Sequence, residues 1–220
     1  MSRPSDVPVV VASLLDVVPV LPVVVVDRVA DAVPIARALV AGGLPAIELT
    51  LRTPVALDAI RAIADEVPGI LVGAGTVVTP RQAKQAADAG AQFLVSPGST
   101  PALLAGMVDT GLPFLPGTAT VSEVLTVLES GFEEMKFFPA EASGGAAFLR
   151  AVSAPVPAAR FCPTGGITAE SAASYLALPN VGCVGGSWLT PPDAVARGDW
   201  DRIEALARAA ATLEVGLPPR

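Results

Sequence analysis

The sequence contains no histidine among its 220 residues, and only two of its 14 basic residues are lysines, Lys84 and Lys136. Without imidazole the chain cannot form a Ser-His-Asp or Cys-His nucleophile, a histidine-ligated metal site or a histidine general base. It also has only two cysteines, Cys162 and Cys183, each in an apolar stretch typical of small core residues. Amines and carboxylates are therefore the groups to examine for catalysis, and a reducing cytoplasm fits the sparse cysteines.

Basic charge is scarce as well, because 14 Lys+Arg stand against 21 Asp+Glu and give a formal net charge of −7. The arginines are scattered singly, which argues against a nucleic-acid partner. Residues 7–26 form an apolar stretch about as long as the ~20 residues of a membrane-spanning helix, but three prolines and Asp16 interrupt it. Only Arg3 precedes it as a basic residue, and no clear cleavage site is present, so a signal peptide is not expected. We expect a soluble, cytoplasmic protein with no membrane partner.

Short apolar runs alternate with longer helical patterns along the chain. Such runs between helices are typical of strands buried on both faces, as in a parallel sheet. Four glycines spaced about 20 residues apart, Gly69, Gly90, Gly111 and Gly131, follow helical segments where a left-handed cap residue is favoured. The runs predict eight strands, over 18–26, 46–50, 70–75, 93–96, 113–115, 134–138, 160–163 and 181–184.

Three Thr-Pro pairs predict helix starts, with a threonine N-cap followed by proline at the first helical position: Thr53-Pro54, Thr79-Pro80 and Thr100-Pro101. Eight β/α units in roughly 200 residues favour a (β/α)8 TIM barrel with eight parallel strands over an open doubly wound sheet. We predict one domain over residues 1–220, with a short N-terminal segment, about 1–17, before the first strand.

The two lysines lie in different surroundings. Lys84 belongs to a polar helical face and can pair with Asp88 at i, i+4, which is typical of a solvated lysine. Lys136 lies in the run 134–138, where its immediate neighbours are bulky and apolar. Burial disfavours the charged ammonium and leaves a fraction of neutral amine, as a Schiff-base lysine requires. The alternative interpretation is a buried structural ion pair.

Glu48 interrupts a predicted strand near its carboxyl end, the end at which barrel enzymes carry their chemistry. A glutamate there can shuttle protons for a substrate held by Lys136. It can equally form a structural pair with Lys136 or with Arg52. Arg52 follows the strand end, where its fork suits a carboxylate, and Thr76 follows the next strand and can add a hydroxyl donor.

Two glycine pairs follow late strands, Gly165-Gly166 after the seventh and Gly185-Gly186 before Ser187 after the eighth. Barrels commonly bind phosphate in these two loops, through backbone N–H groups and a helix N-terminus. Each pair alone is also compatible with a plain turn.

Six segments together resemble the 2-keto-3-deoxy-6-phosphogluconate (KDPG)/4-hydroxy-2-oxoglutarate aldolases. The resemblance runs in order from about Val20 to Ala211 and is more specific than any single motif. The segments are ELTLRT (48–53), VGAGTV (72–77), SPG (96–98), KFFPAE (136–141), RFCPTGGI (160–167) and GGSWL (185–189).

The resemblance implies a class I aldolase on a (β/α)8 barrel, without metal or cofactor, usually a homotrimer of the Entner–Doudoroff pathway. Such an enzyme cleaves 2-dehydro-3-deoxy-6-phosphogluconate to pyruvate and glyceraldehyde 3-phosphate. It further implies that Lys136 forms the Schiff base and that Glu48 shuttles protons. Among the remaining positions, Arg52, Thr76 and Pro97 would hold the carboxylate end, Thr164 would influence stereoselectivity, and Gly165, Gly166, Gly186 and Ser187 would line the phosphate pocket.

The residues themselves are also compatible with other functions. One group keeps the lysine chemistry on another substrate: cleavage of 4-hydroxy-2-oxoglutarate or of 2-dehydro-3-deoxy-6-phosphogalactonate, or decarboxylation of oxaloacetate. A different class is a non-catalytic barrel that binds sugar phosphates, with Lys136 a buried structural cation. Glu141, in the loop after the lysine strand, either supports the site from behind or is solvated.

Overall fold

The computed structural model describes residues 13–216. In that part of the chain the strands are β1 (Val20–Val24), β2 (Ala46–Thr50), β3 (Leu71–Gly75), β4 (Phe93–Val95), β5 (Phe114–Leu115), β6 (Gly117–Thr118), β7 (Glu134–Phe137), β8 (Arg160–Pro163) and β9 (Val184–Gly186). Residues 1–12, most of the predicted N-terminal segment and the first part of the apolar stretch 7–26, lie outside the described residues. Between residue 13 and β1 the described chain forms turns and loop.

The helices that alternate with these strands are α1 (Val29–Ala41), α2 (Ala56–Glu66), α3 (Pro80–Asp88), α4 (Pro101–Val108), α5 (Val121–Glu129), α6 (Gly145–Ser153), α7 (Ala169–Leu176), α8 (Pro192–Arg197) and α9 (Trp200–Ala211). A 3-10 turn, Glu141–Ser143, stands between β7 and α6. No helix among residues 13–216 is long and apolar enough to cross a membrane.

All strand pairs are parallel, and they fall into a six-stranded sheet of order β5-β4-β3-β2-β1-β9 and a three-stranded sheet of order β6-β7-β8. The prediction of parallel strands alternating with helices is confirmed. The run predicted at 113–115 contains β5, and after Pro116 the chain forms a further short strand, β6, that the sequence pattern does not predict. β5 pairs with β4, whereas β6 pairs with β7, so this proline stands where the chain changes its pairing partner.

Local sequence signals account for several helix ends. The hydroxyl oxygens of Thr79 and Thr100 accept from the backbone N–H groups of Gln82 and Leu103, as N-cap threonines do. The predicted cap at Thr53 is wrong. α2 begins at Ala56, and the Thr53 hydroxyl donates instead to the carbonyl oxygen of Val26, 2.8 Å away. That bond ties the loop after β2 to the end of β1.

The spaced glycines all adopt left-handed backbone, with φ of 89° at Gly69, 97° at Gly90, 71° at Gly111 and 89° at Gly131. This confirms the repeat they mark in the sequence. The strands are buried along most of their length and the helices cover them with apolar faces, so one hydrophobic cluster extends from Leu14 to Ala210. Cys162 and Cys183 are free and buried within it.

Candidate active site

Lys136 on β7 and Glu48 on β2 meet in the interior of the fold. The Lys136 Nζ donates to Oε1 of Glu48 across 3.1 Å, and the two side chains are only 5% and 1% exposed. Of the partners considered for Glu48, Lys136 is the one it contacts, while Arg52 instead bonds Thr76. An amine and a carboxylate in direct contact and shielded from water are equipped for nucleophilic addition and proton transfer.

Glycines on the neighbouring strand β3 make room for the Glu48 carboxylate. Gly73 is the register partner of Glu48. A Cβ on Gly75 would lie 2.2 Å from Oε1 of Glu48, and a Cβ on Gly73 would lie 2.2 Å from Cζ of Phe93. The Glu48 carboxylate from β2 and the Phe93 ring from β4 therefore fill the space that side chains at positions 75 and 73 would occupy.

The second oxygen of the Glu48 carboxylate differs from the first in its contacts. Among the described residues, Oε2 of Glu48 is buried and accepts no hydrogen bond. A buried acceptor without a donor costs about 1–3 kcal/mol, so its presence calls for a structural or functional explanation. In this position Oε2 can accept a proton or a hydrogen bond from a hydroxyl group presented beside Lys136.

The backbone also closes in around Lys136. Gly117 on β6 is its register partner, and a Cβ on Gly117 would lie 2.2 Å from the carbonyl carbon of Pro97. The backbone N–H of Gly117 donates to Oγ of buried Ser96 at 3.2 Å. Pro97, a predicted site residue, thus lies against the strand that flanks the lysine. Sequence reasoning assigned no role to Ser96, although a serine closing an apolar strand was the available signal.

The ring of Phe138 lies on another side of the lysine, with its centroid 5.4 Å from Nζ. At this distance the ring face can stabilise a cation. Side chains two residues apart along an extended chain lie on the same face, which accounts for the position of Phe138 beside Lys136.

Arg52 and Thr76 come together at the carboxyl ends of β2 and β3. Nε of Arg52 donates to Oγ1 of Thr76 across 3.2 Å. Thr76 adopts φ of 58°, a left-handed conformation that is uncommon for a β-branched residue and that often accompanies function. Arg52 is exposed and keeps further N–H groups available for an anionic ligand.

The two glycine loops lie side by side. An isolated parallel bridge joins Thr164 to Gly185, and a Cβ on Gly185 would lie 2.2 Å from Oγ1 of Thr164. Thr164 is buried, while Gly165 and Gly166 adopt φ of 102° and 82°. Both loops therefore require glycine, one for close approach and the other for its backbone conformation.

Gly186 is buried, and Ser187 beyond it is exposed and lines a cavity of about 620 Å³. Val23, the register partner of Glu48 on β1, lines the same cavity. Arg28 is a basic lining residue, and its guanidinium donates two hydrogen bonds to Asp31, at 2.9 and 2.7 Å. The cavity beside Ser187 thus extends to Val23, the residue paired with Glu48 across the sheet.

Lys84 is 76% exposed, and its Nζ lies 3.0 Å from Oδ2 of Asp88, as the helical spacing predicts. It is far less protected from water than Lys136, so the two lysines differ in the way the sequence indicates. Among residues 13–216, no group of three or more Cys, Asp or Glu side chains is arranged to hold a metal ion.

Comparison with known proteins relates most of the chain to one family. The sequence model described as "Aldolase: KDPG and KHG aldolase" matches residues 11–206. A KHG/KDPG aldolase from Escherichia coli (strain K12) is 53% identical over 198 residues, which cover 90% of this chain and 93% of that relative. A 2-dehydro-3-deoxy-phosphogluconate aldolase from Dickeya dadantii (strain 3937) is 54% identical over 192 residues, covering 87% and 90%.

Solved structures agree. A KDPG aldolase from Legionella pneumophila, with pyruvate captured at low pH as a covalent carbinolamine intermediate, superposes with a TM-score of 0.88 at 45% identity and covers 90% of this chain and 96% of that one. The 2-keto-3-deoxy-6-phosphogluconate aldolase of Zymomonas mobilis ZM4 with 3-phosphoglycerate gives a TM-score of 0.87 at 45% identity, covering 93% and 96%.

Proposed function

The chain belongs to the KDPG and KHG aldolase family, and we propose that it cleaves 2-dehydro-3-deoxy-6-phosphogluconate to pyruvate and glyceraldehyde 3-phosphate through a Schiff base on Lys136. Several relatives about half identical to it carry the name 2-dehydro-3-deoxy-phosphogluconate aldolase. The observation that carries the proposal is the buried contact between Lys136 and Glu48. It provides the nucleophilic amine and the acid–base group that a class I aldolase needs, and nothing in the reaction requires a metal or a cofactor.

The reaction begins at Lys136. Its neutral amine adds to the ketone carbon of the substrate, and the resulting carbinolamine loses water with Glu48 supplying and removing protons. The product is a protonated imine joined to Nζ. The positive imine nitrogen draws electron density from the neighbouring carbons and serves as the electron sink for the next step.

Glu48 then removes the proton from the carbon-4 hydroxyl. The oxygen forms a carbonyl, the bond between carbon 3 and carbon 4 breaks, and its electron pair moves into an enamine on Lys136. Glyceraldehyde 3-phosphate leaves. Glu48 returns the proton to carbon 3, and water hydrolyses the imine to release pyruvate and the free amine. The unpartnered Oε2 supports this assignment, because it provides a second carboxylate oxygen beside the one that faces Nζ.

The two ends of the substrate need different partners. Arg52, Thr76 and the backbone at Pro97 would hold the pyruvyl carboxylate, which the Arg52–Thr76 hydrogen bond supports by fixing the guanidinium at the strand ends. Thr164 would influence stereoselectivity. Gly165, Gly166, Gly186 and Ser187 would bind the phosphate, which the contact between their two loops supports.

We propose that residues 1–220 form one domain, a (β/α)8 barrel preceded by a short N-terminal segment of about residues 1–17. The single bridges Phe161–Val181 and Thr164–Gly185 support closure, because they join β8 and the residue after it to β9 and the segment just before it, where the two sheets would meet. We further propose a cytoplasmic homotrimer, as the family resemblance implies. Exposed apolar side chains on two consecutive helices of the chain, Val108 on α4 and Val121 and Leu125 on α5, provide surface for such an interface. Multi-angle light scattering tests the trimer.

Borohydride reduction in the presence of pyruvate tests the lysine assignment. We expect a pyruvyl adduct on the peptide that contains Lys136, and none in the Lys136→Arg variant. Lys84→Arg is the matched control and should retain the adduct, because Lys84 is solvated and paired with Asp88. An unmodified wild-type chain would reject the imine mechanism and favour a non-catalytic barrel that binds sugar phosphates.

A second candidate activity is cleavage of 4-hydroxy-2-oxoglutarate, favoured by the name KHG/KDPG aldolase of the Escherichia coli relative. Turnover measured with and without the phosphate distinguishes the two. Ser187→Ala should impair only the phosphorylated substrate. The phosphogalactonate epimer and oxaloacetate are tested in the same assay, because both reactions use the same imine.

A further inference from the structure

Glu141 is the first residue of the 3-10 turn after the lysine strand, and its backbone is bonded to the first glycine loop. The N–H of Glu141 donates to the carbonyl oxygen of Gly165 at 3.1 Å. The preceding N–H, of Ala140, donates to the carbonyl oxygen of Thr164 at 2.8 Å. The segment that leaves Lys136 is thus joined to the loop proposed to bind phosphate.

The side chain of Glu141 occupies the space beside Gly166. A Cβ on Gly166 would lie 2.6 Å from Cγ and 2.7 Å from Cβ of Glu141, and Gly166 has φ of 82°. The hydrocarbon part of the glutamate therefore packs directly on the glycine backbone. The loop has little freedom to move toward Glu141 without a clash.

Tyr175 holds the other end of the same side chain. Its hydroxyl donates to Oε1 of Glu141 across 2.5 Å, while its ring is 1% exposed within the core. Tyr175 belongs to α7, the helix that follows Gly165 and Gly166 in the chain. A Cβ on Gly145, the first residue of α6, would lie 3.0 Å from the tyrosine hydroxyl oxygen, so the fit around this group is tight.

Burial and the neighbouring Glu141 carboxylate raise the pKa of Tyr175 well above its usual value. The phenol therefore stays protonated through neutral and moderately alkaline pH. It can therefore donate a hydrogen bond to Glu141 in assays near neutral pH.

We propose that Glu141, fixed by Tyr175, is a positioning residue for the distal phosphate of the substrate: it sets the place of the Gly165–Gly166 backbone relative to Lys136. The proposal rests on the proposed function, since it assumes that this loop binds the phosphate. Glu141 itself does not contact the phosphate, because two anions in contact would repel each other. It acts through the glycine N–H groups, whose distance from Nζ must match the length of the substrate.

Three variants distinguish the effect of the Tyr175–Glu141 hydrogen bond from the effect of the negative charge of Glu141. Tyr175→Phe keeps the buried ring and removes the donor, Glu141→Ala removes both the packing and the acceptor, and Glu141→Gln keeps an amide oxygen that can still accept from Tyr175. We expect the first two to raise KM for the phosphorylated substrate about tenfold, in line with loss of one hydrogen bond to a charged group, with kcat within about twofold of wild type. Glu141→Gln should stay close to wild type.

Imine formation with pyruvate provides the second readout. Pyruvate has no distal phosphate, so its concentration dependence in the borohydride assay should be the same in all three variants as in wild type. Glu129→Gln, an exposed substitution on α5, is the surface control. A structural role alone would weaken pyruvate and phosphorylated substrate together, and that result, or no change in either, would overturn the proposal.

The assay also separates this proposal from the proposed function. If wild type forms no pyruvyl adduct, the imine mechanism fails, whatever the variants do. Calorimetric binding of glyceraldehyde 3-phosphate then tests the positioning role, with weaker binding to Tyr175→Phe as the expected result and equal binding as the refutation. If Tyr175→Phe does not fold, as thermal unfolding reveals, the comparison of Glu141→Ala with Glu141→Gln decides.

Discussion

Nζ of Lys136 lies 3.1 Å from Oε1 of Glu48, although 88 residues separate the two in the chain. The strands that carry them, β7 and β2, belong to different sheets. Removing two charges from water is costly, and a buried ion pair often adds little net stability compared with apolar residues of the same size. The burial of this pair is therefore better explained by the chemistry we propose for it than by a contribution to stability.

Replacing Glu48 by glutamine should abolish proton transfer while keeping an oxygen near Nζ. We expect kcat to fall about 10²- to 10⁴-fold, the range typical of general acid–base groups. Exchange of the methyl protons of pyruvate with deuterated water, followed by proton NMR, measures the same loss without the aldehyde. Exchange at the wild-type rate would assign the proton shuttle to another group.

Gly75→Ala should displace the Glu48 carboxylate, because the new Cβ would lie 2.2 Å from Oε1. The clash lies inside a strand, where the backbone has little room to yield, so we expect at least a tenfold loss of kcat and destabilisation of about 1–3 kcal/mol. Gly98→Ala is the matched control, since nothing lies within 4 Å of its Cβ position. Equal effects of the two substitutions in activity assays and denaturant unfolding would contradict the packing explanation.

Lys136 and Glu48 could be singled out from the sequence because each is a charged residue within an apolar strand, and such an interruption is visible locally. The part played by Gly75 was not predictable in this way, since it depends on which side chain of β2 faces it across the sheet. The same holds for Gly117, whose close approach to Pro97 joins distant segments. Thr53 shows the opposite case: the local sequence predicts a helix cap, but its hydroxyl forms a tertiary hydrogen bond with Val26 instead.

The predicted parallel β/α order is observed, and each predicted run overlaps a strand, although the run 181–184 shares only Val184 with β9; β6 was not predicted. That short strand holds only Gly117–Thr118 after a proline, so it has no apolar run to reveal it. Arg52 and Thr76, both predicted for the carboxylate end of the substrate, are hydrogen-bonded to each other, and Thr164, predicted to influence stereoselectivity, forms a bridge to Gly185 in the second glycine loop. The hydrogen bond from Tyr175 to Glu141 was not foreseen, because a tyrosine on a distant helix gives no local indication of its partner.

The two cysteines should be inert to thiol reagents in the native protein. Hydrogen bonding to Cys162 and burial raise the pKa of the Cys183 thiol well above its usual value, so the reactive thiolate is scarce. We expect iodoacetamide to modify neither Cys162 nor Cys183 before unfolding and both after addition of guanidinium, as read by intact mass. Rapid native labelling of either residue would show that this part of the core opens locally.

Asp16 should make stability depend on pH in the acid range. Hydrogen bonding to Arg160 lowers the pKa of this carboxyl, and the two groups approach to 2.6 Å. A carboxyl with a lowered folded-state pKa contributes stability above its unfolded value, near 3.9, and that contribution is lost as pH falls through the folded value. Asp16→Asn should therefore destabilise the protein at pH 7 but make progressively less difference below about pH 4.

Because Asp16 is 60% exposed, the expected loss at pH 7 is at most about 1 kcal/mol. Urea unfolding of wild type and variant at pH 7 and pH 3 measures it, with Asp65→Asn on α2 as a surface control. A difference that stayed constant between the two pH values would exclude the ion pair as its source. High salt should reduce the difference at pH 7, since exposed pairs are screened.

The ring of Phe93 fills the space that a side chain at position 73 would need. Positions 73 and 93 are therefore expected to evolve together. A larger residue at 73 can be accepted only after the residue at 93 has become smaller. A smaller residue at 93, arising first, leaves a void that costs about 3–5 kcal/mol. Either order of substitution passes through a destabilised intermediate. We therefore expect relatives to retain Gly73 and Phe93 together or to change both.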